Sequence, residues 1–577
     1  MSKLISTKKA VIAVAFLNLT ASTLQARTIP LPQLPRPIPP SLPYPNPQFP
    51  PSLPPQPLLK PPLTPYFPEQ EIPQSPEVSQ QGIIKVKRFV FIGNTVLKPK
   101  QLRKAVAPFL DKKNLTFSQL LEVSKTVTQL YADNGYINSE ALIPPQNFQS
   151  GLGAIVIQIV EGKIGQINIS GSYRLRRYIR SRLRLAVSPV FNQNRLLEQL
   201  SLLQINPLIK TITADLALTP VLGETTLNVS VAANQTIRTQ ATLDNNRSPS
   251  VGSFEKRIQF SDSNVFGLGD GLNLTYSNTL GSNAGQASYS IPLNPHNTTL
   301  QFDYVIVDSS IIERPFNRLN ITEADRSYQV TLRQPLLQRA NGTSIKELAV
   351  GITASRLEGD QRLLGKPFPV SPGADDRGRT RISAVRFFQE WNQRGAQGVL
   401  SIRSEFSLGV GALDATIHHT APDSRFFLWR GQAAWLRRLN RHNLSLLLRT
   451  DLQFAARPLS PFEQFTLGGV STVRGYRQDA LLTDNGILGS AELRIPIIAN
   501  PVNQLLVAPF IDGGYSFNVK GLNPDPNALV GAGLGIEYQV GERLCMRLDY
   551  GIPIISIQNN KRTLQENGLY LSVTYSF

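Results

Sequence analysis

Few residues in this chain could do chemistry. The four histidines, His296, His418, His419 and His442, show no metal-binding spacing such as His-Glu-x-x-His, and His418-His419 adjoin a predicted loop, where exposure is the default. Gly267-Leu268-Gly269-Asp270-Gly271 and Gly531-Ala532-Gly533-Leu534-Gly535 lack the Lys-Ser/Thr of a phosphate loop. Alternating glycines in a strand mark close approach or curvature instead. The lone Cys545 excludes an internal disulfide framework and a Cys-rich metal site. The chain is therefore read as no enzyme, with no metal and no cofactor. Charge set among glycines remains. Val473-Arg474-Gly475-Tyr476 follows Leu467-Gly468-Gly469, Asp512 lies in Phe510-Ile511-Asp512-Gly513-Gly514, and six arginines crowd residues 174–184.

The elements that must position these groups are legible from composition and pattern. The chain has 577 residues, too many for one ordinary domain. Charged residues make up 17% and hydrophobic ones 41%, both below the usual share of soluble domains, which suits β-rich walls with one wet face. Lys3, Lys8 and Lys9 precede an apolar run from Ala10 to Leu17 and small or polar residues ending at Ala26, so 1–26 reads as a secretory signal peptide. No later segment is long and apolar enough for a membrane helix. Residues 27–82 carry 20 of the 44 prolines between Pro30 and Pro76. Proline removes backbone donors and fixes φ, so this segment is expected to be an extended tether, with a Pro-rich docking ligand as the alternative.

From Ile83 the pattern becomes regular. A strand over Val86–Ile92 precedes a helix over 102–110. A second helix has Thr116 and Gln119 at capping-box spacing and a stop at Asn134-Gly135; strands at 139–143 and 154–160 follow. The order βααββ then repeats, giving units 83–162 and 163–233. Beyond 234 helical periodicity ends, and alternating stretches give sixteen predicted strands from 237–244 to 568–577. A long loop, 456–485, separates the eleventh (442–455) from the twelfth (487–497). An even number of roughly ten-residue strands fits a membrane barrel, because hydrocarbon leaves no amide unpaired and closure leaves no edge. In the last strand Leu569, Leu571, Val573, Tyr575 and Phe577 share one face.

Phe91-Ile92-Gly93-Asn94, Tyr131 with Asn134-Gly135-Tyr136, Glu161-Gly162-Lys163-Ile164 and Ile169-Ser170-Gly171 resemble the signature of tandem POTRA domains, periplasmic modules that precede certain outer-membrane barrels. The terminal Phe577 resembles the insertion signal of such barrels. With Asn264-Val265-Phe266-Gly267-Leu268-Gly269-Asp270 and Tyr289-Ser290-Ile291-Pro292, the chain from 83 to 577 resembles the transporter of two-partner secretion, the hemolysin and filamentous-adhesin exporters. The resemblance implies a mainly β fold: a 16-stranded transmembrane antiparallel barrel behind two α+β POTRA domains, 83–162 and 163–233. It also implies that the Arg474-Gly475-Tyr476 loop folds into the lumen and that Arg474 meets Asp512. A carboxylate on the wall would compensate a partly desolvated guanidinium and fix the loop. The two are expected to act as one unit, with similar losses from removing either. Loss of Arg474 is expected to leave Asp512 facing a wet pore. Some members carry a pore-plugging helix at the N-terminus, where this chain has its proline tether.

The implied partners are a secreted exoprotein, outer-membrane lipids and the barrel assembly machinery during biogenesis. Residues 83–233 hold 19 basic and 8 acidic groups, with Arg174, Arg176, Arg177, Arg180, Arg182 and Arg184 on one predicted helix. That face would attract acidic segments or anionic lipid, or be merely solvated; nucleic acid is not expected in the periplasm. Three functions stay open: export of an unfolded partner recognised by the POTRA domains, insertion of other barrels into the outer membrane, and a passive porin.

Overall fold

The computed structural model describes residues 84–577 except 113, 147–152, 341–343, 420–421, 441–442, 501 and 558–561. The expected signal peptide and tether lie outside the described residues, as does His442. In the first unit the strand Arg88–Ile92 runs parallel to Ala154–Val160, which pairs antiparallel with Glu140–Leu142. Helices α1 (Pro99–Leu110) and α2 (Phe117–Asp133) cover one face. α2 starts where it does because the Thr116 amide donates to Gln119 Oε1 at 2.9 Å while the Gln119 amide donates to Thr116 Oγ1 at 3.3 Å. Its Leu120, Val123, Val127 and Tyr131 recur at helical spacing and pack against Ile155, Ile157 and Ile159 of the sheet.

The second unit repeats this order. Lys163–Ser170 runs parallel to Glu224–Ala233, which pairs antiparallel with Ile209–Leu218. Helices α3 (Arg176–Val187) and α4 (Gln193–Gln204) pack Ile179, Leu183, Leu196 and Leu200 onto it. α4 is capped by the Asn192 side chain, which accepts from the amides of Asn194 and Arg195.

Sixteen antiparallel strands then close into a barrel. The two-residue stretch Lys366–Pro367 only folds back on Arg362-Leu363 and is not a wall strand. The first strand, Ile237–Asp244, pairs with the last, Leu569–Ser576, and the Phe577 amide extends the seam by donating to Thr239 O at 3.0 Å. Phe577 itself is 75% exposed on the outer surface, its ring edge-on to Tyr575. Alternation sorts the side chains as a closed wall requires: Phe302 and Tyr304 point outward, while Val305 and Val307 are buried inside.

All sixteen predicted strands are present. Several are longer than their apolar pattern indicates, most of all Thr322–Ala340 and Ser344–Leu363 against 326–336 and 344–356. The ladder continues through Glu323, Asp325 and Asp360 because strand pairing needs only backbone, whereas the apolar alternation stops where the lipid does.

Candidate functional site: the lumenal arginine and its carboxylates

The segment between the strands Ser445–Ala455 and Asn485–Ala499 folds into the barrel and reaches two separated arcs of its wall. Near its start, Leu459 and Phe462 pack on Leu357, Ile382, Ala384, Phe426 and Leu428. Glu463 receives Arg386 of the wall strand Arg379–Gly395 at 2.7 Å. A short hairpin follows, Phe465–Leu467 against Leu481–Thr483. Its tip carries Val473 to Tyr476 to the opposite arc, where Phe465, Leu467, Val473 and Tyr476 make a small core with Leu488 and Leu529.

At the tip Arg474 is 1% exposed and Asp512 0%. Arg474 grips Asp512 with Nε at 2.7 Å and Nη2 at 3.0 Å, and its own amide donates to the same carboxylate at 3.2 Å. This is the bidentate geometry that suits a guanidinium to a carboxylate. Asp512 is not its sole partner. Nη1 also donates to Glu492 at 2.7 Å and to Asp549 at 3.2 Å, and the guanidinium carbon lies 3.4 Å from the centre of the Phe510 ring. Arg494 and Arg547 complete the cluster. Arg494 contacts Glu492, and Arg547 joins Glu492, Asp549 and Glu537. Sequence reading found Arg474 and Asp512 but missed Glu492, Asp549, Arg547 and Phe510. The available signal was charged residues two apart in predicted strands, Glu492 with Arg494 and Arg547 with Asp549, which turns both members of each pair to one face.

Two expectations change here. The guanidinium is not partly but almost completely removed from solvent: Arg474, Asp512, Glu492 and Asp549 are all buried. Nor is the contact a simple pair, so its members are not equivalent. Loss of Arg474 leaves Asp512 without a guanidinium while Glu492 keeps Arg494 and Arg547 and Asp549 keeps Arg547, whereas loss of Asp512 leaves Arg474 two other carboxylates.

Backbone shape matters as much as charge. Gly475 has φ +103°, a conformation a side chain would strain, and its amide donates to Tyr570 Oη at 2.9 Å while that hydroxyl donates to Tyr476 O at 2.5 Å. Tyr476 Oη in turn lies 2.8 Å from the carbonyls of both Val530 and Ile555, within reach of its single proton. Gly531 belongs to the alternating glycines of the sequence; a Cβ there would come within 1.9 Å of Arg474 O. Close approach is thus the reason for that glycine.

The motif residues of the first unit form a structural joint. Glu161 accepts from the amides of Thr95 and Val96 at 2.7 and 2.9 Å, from the Thr95 hydroxyl, and from Tyr131 Oη at 2.9 Å. Burial alone would raise its carboxyl, but those hydrogen bonds hold it below the usual range. Gly93 and Asn94 form the turn beside it, where Asn94 Nδ2 donates to Leu97 O. The Tyr136 ring lies edge-on to Tyr131 at 6.0 Å. Gly135 O accepts from the Gln193 amide and Gly162 O from the Phe191 amide, both at 2.8 Å, so these two residues tie the first unit to the second.

Comparison with known proteins identifies the family of the chain. The model of the haemolysin secretion/activation protein ShlB/FhaC/HecB family matches residues 223–538, and that of the ShlB-type POTRA domain matches 84–162. An outer membrane transporter CdiB of Dickeya dadantii (strain 3937) is 23% identical over 501 residues, covering 84% of this chain and 85% of that protein. The heme/hemopexin transporter protein HuxB of Haemophilus influenzae (strain ATCC 51907 / DSM 11121 / KW20 / Rd) is 22% identical over 512 residues, covering 81% and 82%. The solved structure of CdiB from Escherichia coli superposes with a TM-score of 0.65 at 20% identity, covering 89% of this chain and 94% of that one, which speaks to the fold. The chain belongs to the ShlB/FhaC/HecB haemolysin secretion/activation family, outer-membrane β-barrel transporters of two-partner secretion with periplasmic POTRA domains.

Proposed function

We propose that this protein captures an unfolded partner exoprotein in the periplasm through two POTRA units, 83–162 and 163–233, and exports it through the barrel, with the Arg474 loop held across the route until cargo engages. The observation that carries this reading is the loop itself, docked across the barrel interior and fixed by Arg474 on Asp512, Glu492 and Asp549. A passive porin has no need of such a device.

Recognition by strand addition requires an available sheet edge. In the first unit the edge strand Glu140–Leu142 is already served by α2: Ser124 Oγ donates to Ala141 O at 2.5 Å, and the Ala141 amide donates to Thr128 Oγ1 at 3.0 Å. In the second unit the outer strand Ile209–Leu218 is held near its start by Gln204, then runs on to a turn that exposes Leu218, Val221 and Leu222. That edge, on a strongly basic body, is the better site for an extended segment of cargo. Its binding is expected to be weak and to fall with salt.

The test is removal of residues 83–160, followed by measurement of partner protein in the medium and of heat-modifiable barrel in the outer membrane. Export should stop while the barrel persists. Undiminished export would overturn the reading, and loss of unrelated barrels from the membrane would favour an assembly factor.

A further inference from the structure

The second unit meets the barrel along α3. Arg174 Nη2 donates to the carbonyls of Asn264 and Val265, both at 2.7 Å, in the first periplasmic turn, and Tyr178 lies against Gly269 of the same turn. Further along, Arg182 Nε and Nη2 donate to Asn297 Oδ1 in the second periplasmic turn, at 3.1 and 2.6 Å. Of the six arginines on this stretch, Arg174 and Arg182 thus hold the barrel, while Arg176, Arg177 and Arg184 stay exposed.

Arg182 is unusual. It is 6% exposed, stacks 3.5 Å from the centre of the Tyr178 ring, and donates from Nη1 to Tyr178 O at 3.3 Å. Among the described residues it makes no ion pair with a carboxylate. Burial pushes its pKa down from the usual value, and Tyr178 only partly opposes this. A buried cation without a counter-charge is costly, so an anion supplied from outside would be strongly favoured here.

Arg182 also borders a cavity of about 270 Å³ between α3, α4 and the barrel rim. Among the described residues none that lines it is acidic. His296, Gln199 and Asn206 bring polar groups, and Leu185, Leu202 and Leu336 bring apolar ones. Leu336 is 60% exposed. The floor is the second periplasmic turn and the end of the strand Thr322–Ala340. Leu293, Leu332 and Leu336 are exposed leucines at the periplasmic end of the strands beside the cavity, so in a membrane-spanning barrel the cavity sits at the periplasmic border of the apolar band.

We propose that this cavity holds an anionic phospholipid of the periplasmic leaflet, its phosphodiester against Arg182 and His296 and its first methylenes along Leu185, Leu202 and Leu336. Guanidinium and phosphate match in geometry, and a basic pocket at headgroup depth is a setting for lipid recognition. A zwitterionic headgroup would bring an ammonium that finds no carboxylate in the lining. Free phosphate would supply the charge but leave the leucines uncovered. A bound lipid would pin the second unit to the rim and so set where cargo is presented.

The full-length protein, delipidated in detergent, is incubated with phosphatidylglycerol, phosphatidylethanolamine or inorganic phosphate, and bound lipid is counted by native mass spectrometry. Wild type should retain phosphatidylglycerol about tenfold better than phosphatidylethanolamine, and excess inorganic phosphate should not displace it. Arg182→Gln should lose about tenfold, Arg182→Lys less, and Arg180→Gln, on the same helix but outside the cavity, nothing. If Arg182→Gln fails to give a heat-modifiable barrel, His296→Ala carries the test and should lose severalfold. Unchanged retention by the cavity variants, equal retention of the two lipids, or displacement by inorganic phosphate would overturn the proposal.

Discussion

Two buried arginines in this molecule face opposite circumstances. Arg474, at the tip of the lumenal loop, is matched by Asp512, Glu492 and Asp549 and stacks on Phe510. Among the described residues Arg182, at the joint between the second unit and the barrel, has only an amide oxygen, a carbonyl and a tyrosine ring. The difference teaches what each region is built for. A fully compensated guanidinium fixes a geometry, and under the proposed export route it acts as a latch whose release requires its partners to be satisfied in some other way. An uncompensated one is a vacancy for an external anion. The charge around Arg474 is compensated by carboxylates of the barrel itself, whereas the periplasmic units carry 19 basic against 8 acidic groups over 83–233.

The sharpest way to break this comparison is Arg474→Ala. It leaves Asp512 buried without a guanidinium and takes one of the cations from Glu492 and Asp549, at about 3–5 kcal/mol. The loop should leave the lumen and export should fall more than tenfold, while the barrel persists on its strand pairing. Asp512→Ala should cost less, because Glu492 and Asp549 still hold Arg474, and the double variant should fall well short of the sum. Secreted partner, heat-modifiable barrel and protease access to the loop report on all three. Normal export by Arg474→Ala would show that the latch carries no function.

Next in size is Gly531→Ala, which touches no charge. Its Cβ would press on Arg474 O, so the loop tip must shift by more than 1 Å, at about 1–3 kcal/mol. Export should drop severalfold with unchanged barrel yield. An export level equal to that of wild type would mean that shape at the tip is unimportant and charge alone holds the loop.

The smallest effect lies in the periplasmic region. A fragment of residues 83–233 should fold alone, since each unit has its own apolar core; a disordered circular dichroism spectrum would refute that. Within it Glu161→Gln should cost about 2 kcal/mol at neutral pH, through weakened hydrogen bonds from Thr95, Val96 and Tyr131. The Glu161 carboxyl is held below its ordinary value of about 4.3, so its stabilisation is present above that pH and is lost as pH falls through the lower folded value. Denaturation midpoints of fragment and variant should therefore converge in acid. Parallel curves down to pH 2 would show that Glu161 contributes no charge-dependent stability.

The sequence by itself determined the periodic and the local. Period-2 alternation marks every wall strand because lipid and lumen lie on opposite faces, and the capping box of Thr116 and Gln119 sets the start of α2 because both partners lie within one turn. Arg474 and Asp512 were legible through a family pattern. Glu492 and Asp549 were not, since they come from strands far apart in sequence that only barrel closure and register bring to one point. The same holds for Arg182. Within its helix it is one arginine among several, and nothing local separates it from its exposed neighbours. Only the packing of α3 on the barrel rim buries it, and only the tertiary structure leaves it without a carboxylate, because burial and charge compensation are properties of what surrounds a residue in space.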